Sequence, residues 1–339
     1  MSDSCLLPEF DPAECADIAH RLFALEGSLK LLYGERDLNY LITTDSGKFV
    51  FKIANADEAR GMLDCQHRVF ERLQQNQVFP LIACARKSVN DREIETVQDA
   101  QGREHFCRVL PYLEGRMWSE FKISSPELLQ DLGANLATLD LALQGFSHPG
   151  IERPLLWNME TTAVGLAAYK PLLANDAERH LVEHFESAYL KRVPAAQNQL
   201  PQQVIHNDAN RENVVVNDSG TRVLSVIDFG DMIHSWRVLE PAIAASYAML
   251  GQPDPMASAQ ALVAGYHAKL TLTATETGLL LDLIGMRLCM SVCLCAHQQR
   301  LEPDNTYLSN DVQESWELME KLRNVTWSEA RDAMRDACA

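Results

Sequence analysis

The residues best equipped for chemistry lie in one stretch, His206-Asn207-Asp208-Ala209-Asn210-Arg211-Glu212-Asn213, followed fifteen residues after Asn213 by Asp228-Phe229-Gly230. This set suits phosphoryl transfer. That reaction needs a carboxylate to orient the attacking hydroxyl and accept its proton, and two oxygen ligands to hold a divalent cation against the nucleotide phosphates. Asp208 fits the first task. The Asn213 amide and the Asp228 carboxylate fit the second, and such hard oxygen donors select Mg²⁺. Val214-Val215-Val216, a turn at Asn217-Asp218-Ser219-Gly220, and Val223-Leu224-Ser225-Val226-Ile227-Asp228 read as a hairpin that brings both ligands to one mouth. His206 is expected mainly to support the loop. The plain alternative is a set of turn-forming Asn and Asp residues at strand ends. It requires the spacing and the Asp-Phe-Gly triplet to coincide by accident.

A second candidate lies upstream. Along Phe49-Val50-Phe51-Lys52-Ile53 successive residues alternate faces, so Lys52 shares a face with Val50 and opposes Phe49, Phe51 and Ile53. It is a candidate phosphate ligand; the alternative is a solvent-facing Lys on an edge strand. An acidic partner is wanted on the following helix, where Asp64 and Gln66 point to different sides and only one can meet Lys52. Familiar phosphate loops are missing: no two glycines are spaced two apart, so no Gly-x-Gly loop exists, and there is no Walker A sequence.

The elements that must position these residues fall into two groups. Asp11-Pro12-Ala13-Glu14 has the form of a capping box and opens a helix expected to end at Gly27. Residues 40–53 read as a hairpin, 57–75 as a helix, and 94–97 and 106–110 as strands. Beyond Leu113 the chain turns helical, at 128–143, 178–191 and from Glu240 on, interrupted by Val204-Ile205-His206 and the second hairpin. The expected class is α+β, with a small mixed N-terminal lobe over residues 1–112 that binds nucleotide. A larger, mostly helical catalytic and substrate-binding lobe would cover residues 113–339.

Length and composition agree with an ordinary globular protein: 339 residues, 47% hydrophobic and 23% charged. The net charge of −17 disfavours nucleic acid and anionic membrane as partners and favours small cations. The N-terminus lacks a basic start and an apolar core, so it does not read as a secretory signal, and the apolar run 279–296 is broken by Asp282 and Arg287. The nine cysteines contain no Cys-x-x-Cys pair and read as buried thiols. The expectation is a cytoplasmic protein of open oligomeric state.

On these motifs the chain resembles the aminoglycoside phosphotransferase family of small-molecule kinases, in particular its hydroxylysine kinase branch. The likeness extends through Glu35-Arg36-Asp37-Leu38-Asn39-Tyr40, Phe51-Lys52-Ile53-Ala54-Asn55, Leu155-Leu156-Trp157-Asn158-Met159, His206 to Asn213, and Ile227-Asp228-Phe229-Gly230-Asp231-Met232. Arg287-Leu288-Cys289-Met290-Ser291 and Arg300-Leu301-Glu302-Pro303-Asp304-Asn305 belong to it as well. The resemblance implies a bilobal protein-kinase-like fold that uses ATP or GTP with Mg²⁺ and holds the nucleotide between the first hairpin and the large lobe. It also implies a loop over the phosphates carrying Glu35, Arg36, Asp37 and Asn39, and a hinge at Pro111, Tyr112 and Leu113 whose backbone bonds the base. Gln66 stands where related kinases place the acidic partner of the Lys, leaving Asp64 or another acid as substitute.

For the acceptor, Asp231 and Glu240 could bind an amine, and Arg237 or Arg287 a carboxylate through a bidentate fork. A small cationic or zwitterionic hydroxylated compound such as 5-hydroxylysine meets both; aminoglycoside, choline, ethanolamine and homoserine are alternatives. A structural ion pair explains Arg287 equally well. Trp157 could wall the pocket, stack on an ammonium, or pack in the core. Two other classes remain. His180-Leu181-Val182-Glu183-His184 has the order of an inverted zinc-peptidase motif but no clear third ligand. A pseudokinase would have no need of Asp208 beside a metal pair.

Overall fold

The computed structural model describes residues 7–34, 36–301 and 310–338; Glu35, Glu302-Pro303-Asp304-Asn305 and the first six residues lie outside these. The chain divides into two compact units. The first runs through Glu114 and also takes in His148–Ile151; the second holds Gly115–Ser147 and the chain from Glu152 onward. The return of His148–Ile151 has a local cause. A Cβ on Gly150 would lie 2.2 Å from the Gly61 carbonyl oxygen, so only glycine permits this backbone contact, and His148 Nε2 bonds Asp64 Oδ2 at 3.1 Å.

In the first unit α1 (Pro12–Phe23) starts on the anticipated box: the Asp11 carboxylate accepts from the Ala13 and Glu14 amides, and Glu14 accepts from the Asp11 amide. The helix stops at Phe23, with Ala24 in the left-handed region, rather than at Gly27. Gly27 serves a different purpose, because a Cβ there would come 2.0 Å from the Thr43 carbonyl oxygen. The elements β1 (Ser28–Leu32), β2 (Leu38–Thr44), β3 (Gly47–Ile53), α2 (Arg60–Gln75), β4 (Glu95–Gln98) and β5 (Glu104–Pro111) follow. The strands form one antiparallel sheet in the order β1-β2-β3-β5-β4. Phe51 and Ile53 of β3 are fully buried with Ile42, Val109 and Phe23 of α1, each worth about 1.5–3 kcal/mol of burial. Alternation then turns Lys52 to the opposite face, level with Asn39 of β2 and Arg108 of β5.

The second unit contains β6 (Arg116–Met117), α3 (Pro126–Leu143), α4 (Thr162–Tyr169), α5 (Asp176–Ala196), β7 (Gln202–Ile205), β8 (Val214–Val216), β9 (Val223–Val226) and β10 (Ile233–Trp236). It continues with α6 (Leu239–Met249), α7 (Pro255–Lys269), α8 (Ala274–Leu301), α9 (Asn310–Leu322) and α10 (Trp327–Ala337). β8 and β9 form the expected hairpin, extended by β6, while β7 pairs with β10. α3 and α7 meet backbone to backbone: a Cβ on Gly133 or on Gly265 would each lie 2.0 Å from a carbonyl oxygen of the facing helix. α8 is long and apolar enough to cross a membrane, yet 89% of its most apolar window is buried inside the protein. Its two charges there are matched, Asp282 by Arg192 at 3.4 Å and Arg287 by Asp208 at 2.8 Å.

Candidate active site

β7 delivers the chain into the loop 206–213, and the loop's shape is set by hydrogen bonds from outside it. Glu240, in the first turn of α6 and fully buried, accepts the His206 and Asn207 amides on Oε2 at 2.7 and 3.1 Å. Asn207 is left-handed, with φ 69°, and its amide nitrogen donates to the Asp231 carbonyl at 3.2 Å. His206 Nδ1 accepts from the Asp208 amide at 3.2 Å. This fixes the other ring nitrogen, Nε2, as the donor to the Ile227 carbonyl at 3.0 Å. The ring meets Phe229 edge-on at 4.5 Å. His206 therefore ties the loop to the end of the hairpin.

Asp208 sits at the centre of the second unit's polar cluster. Oδ2 accepts from Asn210 Nδ2 at 2.9 Å and Asn213 Nδ2 at 2.8 Å, while Oδ1 accepts from Arg287 Nη2 at 2.8 Å. Burial pushes the Asp208 carboxyl up to about 7; Arg287 opposes that push, and the nearby Asp231 and Asp228 carboxylates add to it. Asn213 spends its amide nitrogen on Asp208, so the polar group it has left for a cation is its oxygen. The Asn213 carbonyl also accepts the Ile227 amide at 2.8 Å, which closes the hairpin mouth beside Asp228. Asp228 is exposed, left-handed at φ 60°, and its Oδ1 accepts from the Gly230 amide. An amide oxygen and a carboxylate at one hairpin mouth fit Mg²⁺. Among the described residues no group of three or more His, Cys, Asp or Glu side chains is placed to hold a metal. The remaining ligands of a cation there would be phosphate oxygens and water.

In the first unit Lys52 Nζ lies 3.9 Å from Asp37 Oδ2. This corrects the expected pairing with Asp64 or Gln66. Asp64 faces His148 and Arg68, and Gln66 Oε1 accepts from Arg108 Nη2 at 2.6 Å. The cation beside Lys52 on β5 thus takes the neutral amide of α2, and an acid of the loop before β2 takes Lys52. Asp37 also accepts the Asn55 amide at 3.2 Å, and buried Asn39 donates to the Tyr33 carbonyl at 3.4 Å. Arg36 lies in this loop, half-buried. At the end of β5 the Tyr112 amide is spent on the Lys48 carbonyl at 3.0 Å. Pro111 has no N–H, so Leu113 supplies the remaining backbone donor of that triplet.

Two expected substrate residues are structural in this geometry. Arg237 is bound on both sides by buried Glu276, at 3.0 and 2.7 Å, and by the Thr271 carbonyl at 3.2 Å. Glu240 is turned to the loop amides. Neither presents its charge to an acceptor, because each is buried against a partner remote in sequence. Arg287, Trp157 and Asp231 do gather near Asp208: the Arg287 guanidinium lies 4.3 Å from the Trp157 ring centroid, and Asp231 acts electrostatically on both Asp208 and Arg287. Sequence reasoning missed Tyr247, whose hydroxyl accepts from Arg287 at 3.1 Å, and Asp311, which with Glu314 clamps Arg211 of the loop; no local pattern marks these residues. His180, Glu183 and His184 are exposed on α5, where His184 stacks on Trp327 at 6.1 Å.

Residues 30–278 match the family described as "Phosphotransferase enzyme family". Hydroxylysine kinases of Mus musculus and Bos taurus are each 25% identical over 345 residues, covering 95% of this chain and 91% of theirs. A solved microcompartment-associated aminopropanol kinase superposes with TM-score 0.74 at 16% identity, covering 94% of this chain and all of that one. An amicoumacin kinase in complex with AMP-PNP and Ca²⁺ gives TM-score 0.70 at 16% identity over 92% and 94% of the two chains. The expected protein-kinase-like α+β fold is borne out, and with it the resemblance drawn from the loop and hairpin motifs. The chain belongs to the phosphotransferase enzyme family and is a small-molecule kinase with a hydroxyl acceptor.

Proposed function

We propose that this protein transfers the terminal phosphoryl group of ATP or GTP to the hydroxyl of a small hydroxylated amine or amino acid, with 5-hydroxylysine as the leading acceptor. The observation that carries the reading is Asp208 itself. Asn210 and Asn213 hold one of its oxygens, and it stands beside an Asn213–Asp228 pair suited to a divalent cation. The acceptor oxygen forms a bond to the γ-phosphorus as the bond from phosphorus to the β–γ bridging oxygen breaks. The hydroxyl proton passes to Asp208, and the electron pair of the broken bond leaves with the nucleoside diphosphate. Asn213 and Asp228 would hold Mg²⁺, which neutralises phosphate charge.

Lys52 would bind nucleotide phosphates, exchanging Asp37 for them, and Glu35, Arg36 and Asp37, which precede β2 in the chain, would act with Asn39 of β2 on the same phosphates. Pro111, Tyr112 and Leu113 would form the base-binding hinge, and the N-terminal unit the nucleotide-binding lobe. Asp231 would face the acceptor ammonium. The names of the hydroxylysine kinase and aminopropanol kinase relatives support a hydroxylated amine or amino acid as acceptor, and the AMP-PNP and Ca²⁺ complex of the amicoumacin kinase supports nucleotide with a divalent ion. The described cysteines are free thiols, which supports a reducing compartment, the cytoplasm. The test is nucleoside diphosphate release with Mg²⁺ and ATP or GTP against 5-hydroxylysine, ethanolamine, choline, homoserine and kanamycin. Stimulation by one of these supports the reading, and nucleotide binding with no stimulation by any hydroxylated acceptor refutes it.

A further inference from the structure

α8 carries a permanent cation where its neighbours are apolar. Arg287, between Met286 and Leu288, is 2% exposed. A single nitrogen does its pairing: Nη2 donates to Asp208 Oδ1 at 2.8 Å and to the Tyr247 hydroxyl at 3.1 Å. The guanidinium sits 4.3 Å from the Trp157 ring centroid and 5.5 Å from that of Tyr247. Nε and Nη1 are buried without a hydrogen-bond partner. A buried donor left unpaired is costly, and a guanidinium carries five N–H donors in a planar fork. Asp208 cannot fill that fork, since its other oxygen is committed to Asn210 and Asn213.

The chemical complement of a guanidinium with unused donors in an aromatic slot is a planar carboxylate, which accepts two parallel N–H bonds. The same cation bears on which acceptors are admitted. A positive charge 2.8 Å from the carboxylate that would meet the acceptor hydroxyl repels a compound carrying only ammonium groups. It attracts one whose carboxylate can be laid against it, with the ammonium left to Asp231. Trp157 and Tyr247, which flank the guanidinium, are half-buried, and a carboxylate would reach it if either ring turned aside.

We infer that Arg287 is the receptor for the acceptor carboxylate, so that the site selects hydroxylated α-amino acids over hydroxylated amines. The inference rests on the phosphotransferase reading above. In the ligand-free protein Asp208 occupies Arg287; an arriving carboxylate takes the guanidinium over and leaves Asp208, still held by Asn210 and Asn213, to the acceptor hydroxyl.

The experiment compares kcat and KM for 5-hydroxylysine, its methyl ester and its decarboxylated counterpart 1,5-diaminopentan-2-ol, in the parent, Arg287→Lys and Arg287→Gln. The parent should prefer hydroxylysine in kcat/KM by at least roughly tenfold, the size of one charge-assisted hydrogen bond. In Arg287→Gln the KM for hydroxylysine should rise until the preference falls to about threefold or less, with Arg287→Lys between, since it keeps the charge and loses the fork. If Arg287→Gln does not fold, the parent and Arg287→Lys decide. A parent that uses the diamine as well as hydroxylysine overturns the inference. So do variants that lose the same factor on all three acceptors with the preference intact, because Arg287 would then serve Asp208 alone. Stimulation by choline, ethanolamine or kanamycin but not by hydroxylysine overturns it while the phosphotransferase reading stands; no stimulation by any acceptor refutes that reading instead.

Discussion

Replacing Asp208 by Asn separates chemistry from folding. The shape is kept, but Asn cannot accept the acceptor proton, a loss of about 10²–10⁴ in kcat, or roughly 2.7–5.4 kcal/mol in the barrier. The structural cost is smaller. If the new amide oxygen stays with Asn210 and Asn213, its NH₂ faces Arg287 Nη2; if it turns to Arg287, it loses the two Asn donors. The first arrangement gives up one charge-assisted hydrogen bond and the second gives up two, so the amide should keep the first, at about 1.5–3 kcal/mol. Against this, burial and the Asp228 and Asp231 carboxylates already push the Asp208 carboxyl up to about 7, so its charged form is disfavoured in the metal-free protein. A neutral amide relieves that penalty. The net change in stability should fall within about 2 kcal/mol, or about 3 °C in Tm for a chain of this size. Nucleotide affinity in Mg²⁺ should stay within about threefold, because Asp228 and Lys52 are untouched and the Asn213 amide is still held by the Asp208 backbone carbonyl, at 3.0 Å. The assays are diphosphate release with saturating acceptor, calorimetric nucleotide titration, and melting without metal. A variant that keeps more than a tenth of parental kcat would refute the proton-accepting role. Loss of nucleotide binding together with kcat would show that Asp208 acts by holding the site's shape.

Three further outcomes follow from particular contacts. Lys52→Ala should weaken nucleotide binding by about tenfold or more, as a charged hydrogen bond to phosphate is lost, yet leave Tm nearly unchanged because its ion pair with Asp37 is long, at 3.9 Å; calorimetric titration and melting check both. Gly133→Ala should cost about 3 kcal/mol or more, since its Cβ would lie 2.0 Å from the Leu262 carbonyl oxygen and force α3 from α7; a Tm equal to the parent's would refute that close approach. Asp282, inside α8, is pushed up to about 7 by burial, against the pull of Arg192. With its folded value above the unfolded 3.8, the native state holds the extra proton between those limits, so this group's contribution to stability falls as pH rises from about 4 to 7. Asp282→Asn lacks that dependence and should gain on the parent between pH 5 and pH 8 in denaturant titrations; a constant difference would refute the shift.

Much of the polar cluster could be read along the chain because its parts are near one another in sequence. Asp208 and Asn213 share a loop, and the β8–β9 hairpin closes through the Ile227 amide on the Asn213 carbonyl, which sets Asp228 beside them. Strand alternation likewise placed Lys52 opposite Phe51 and Ile53, and the Asp11 to Glu14 box began α1 where its capping residues stand. α1 ends at Phe23, short of Gly27, because Gly27 answers to the Thr43 backbone on β2 and not to the helix.

Side-chain partners were decided by packing. Helical spacing offered Asp64 or Gln66 to Lys52, yet the sheet register sets Arg108 beside Lys52, and Arg108 takes Gln66. Arg237 and Glu240 carried the right charges for an acceptor but met Glu276 and the loop amides, 39 and 34 residues away from Arg237 and from His206 respectively. Arg287 announced itself as a charge in an apolar run, but its aim at Asp208, 79 residues distant, came only with the packed helix. Local spacing determines which atoms a short loop and its hairpin can bring together, since few dihedrals separate them. Which remote charge a buried group meets depends on how whole elements pack to bury their apolar faces, and on the high cost of leaving that charge unpaired.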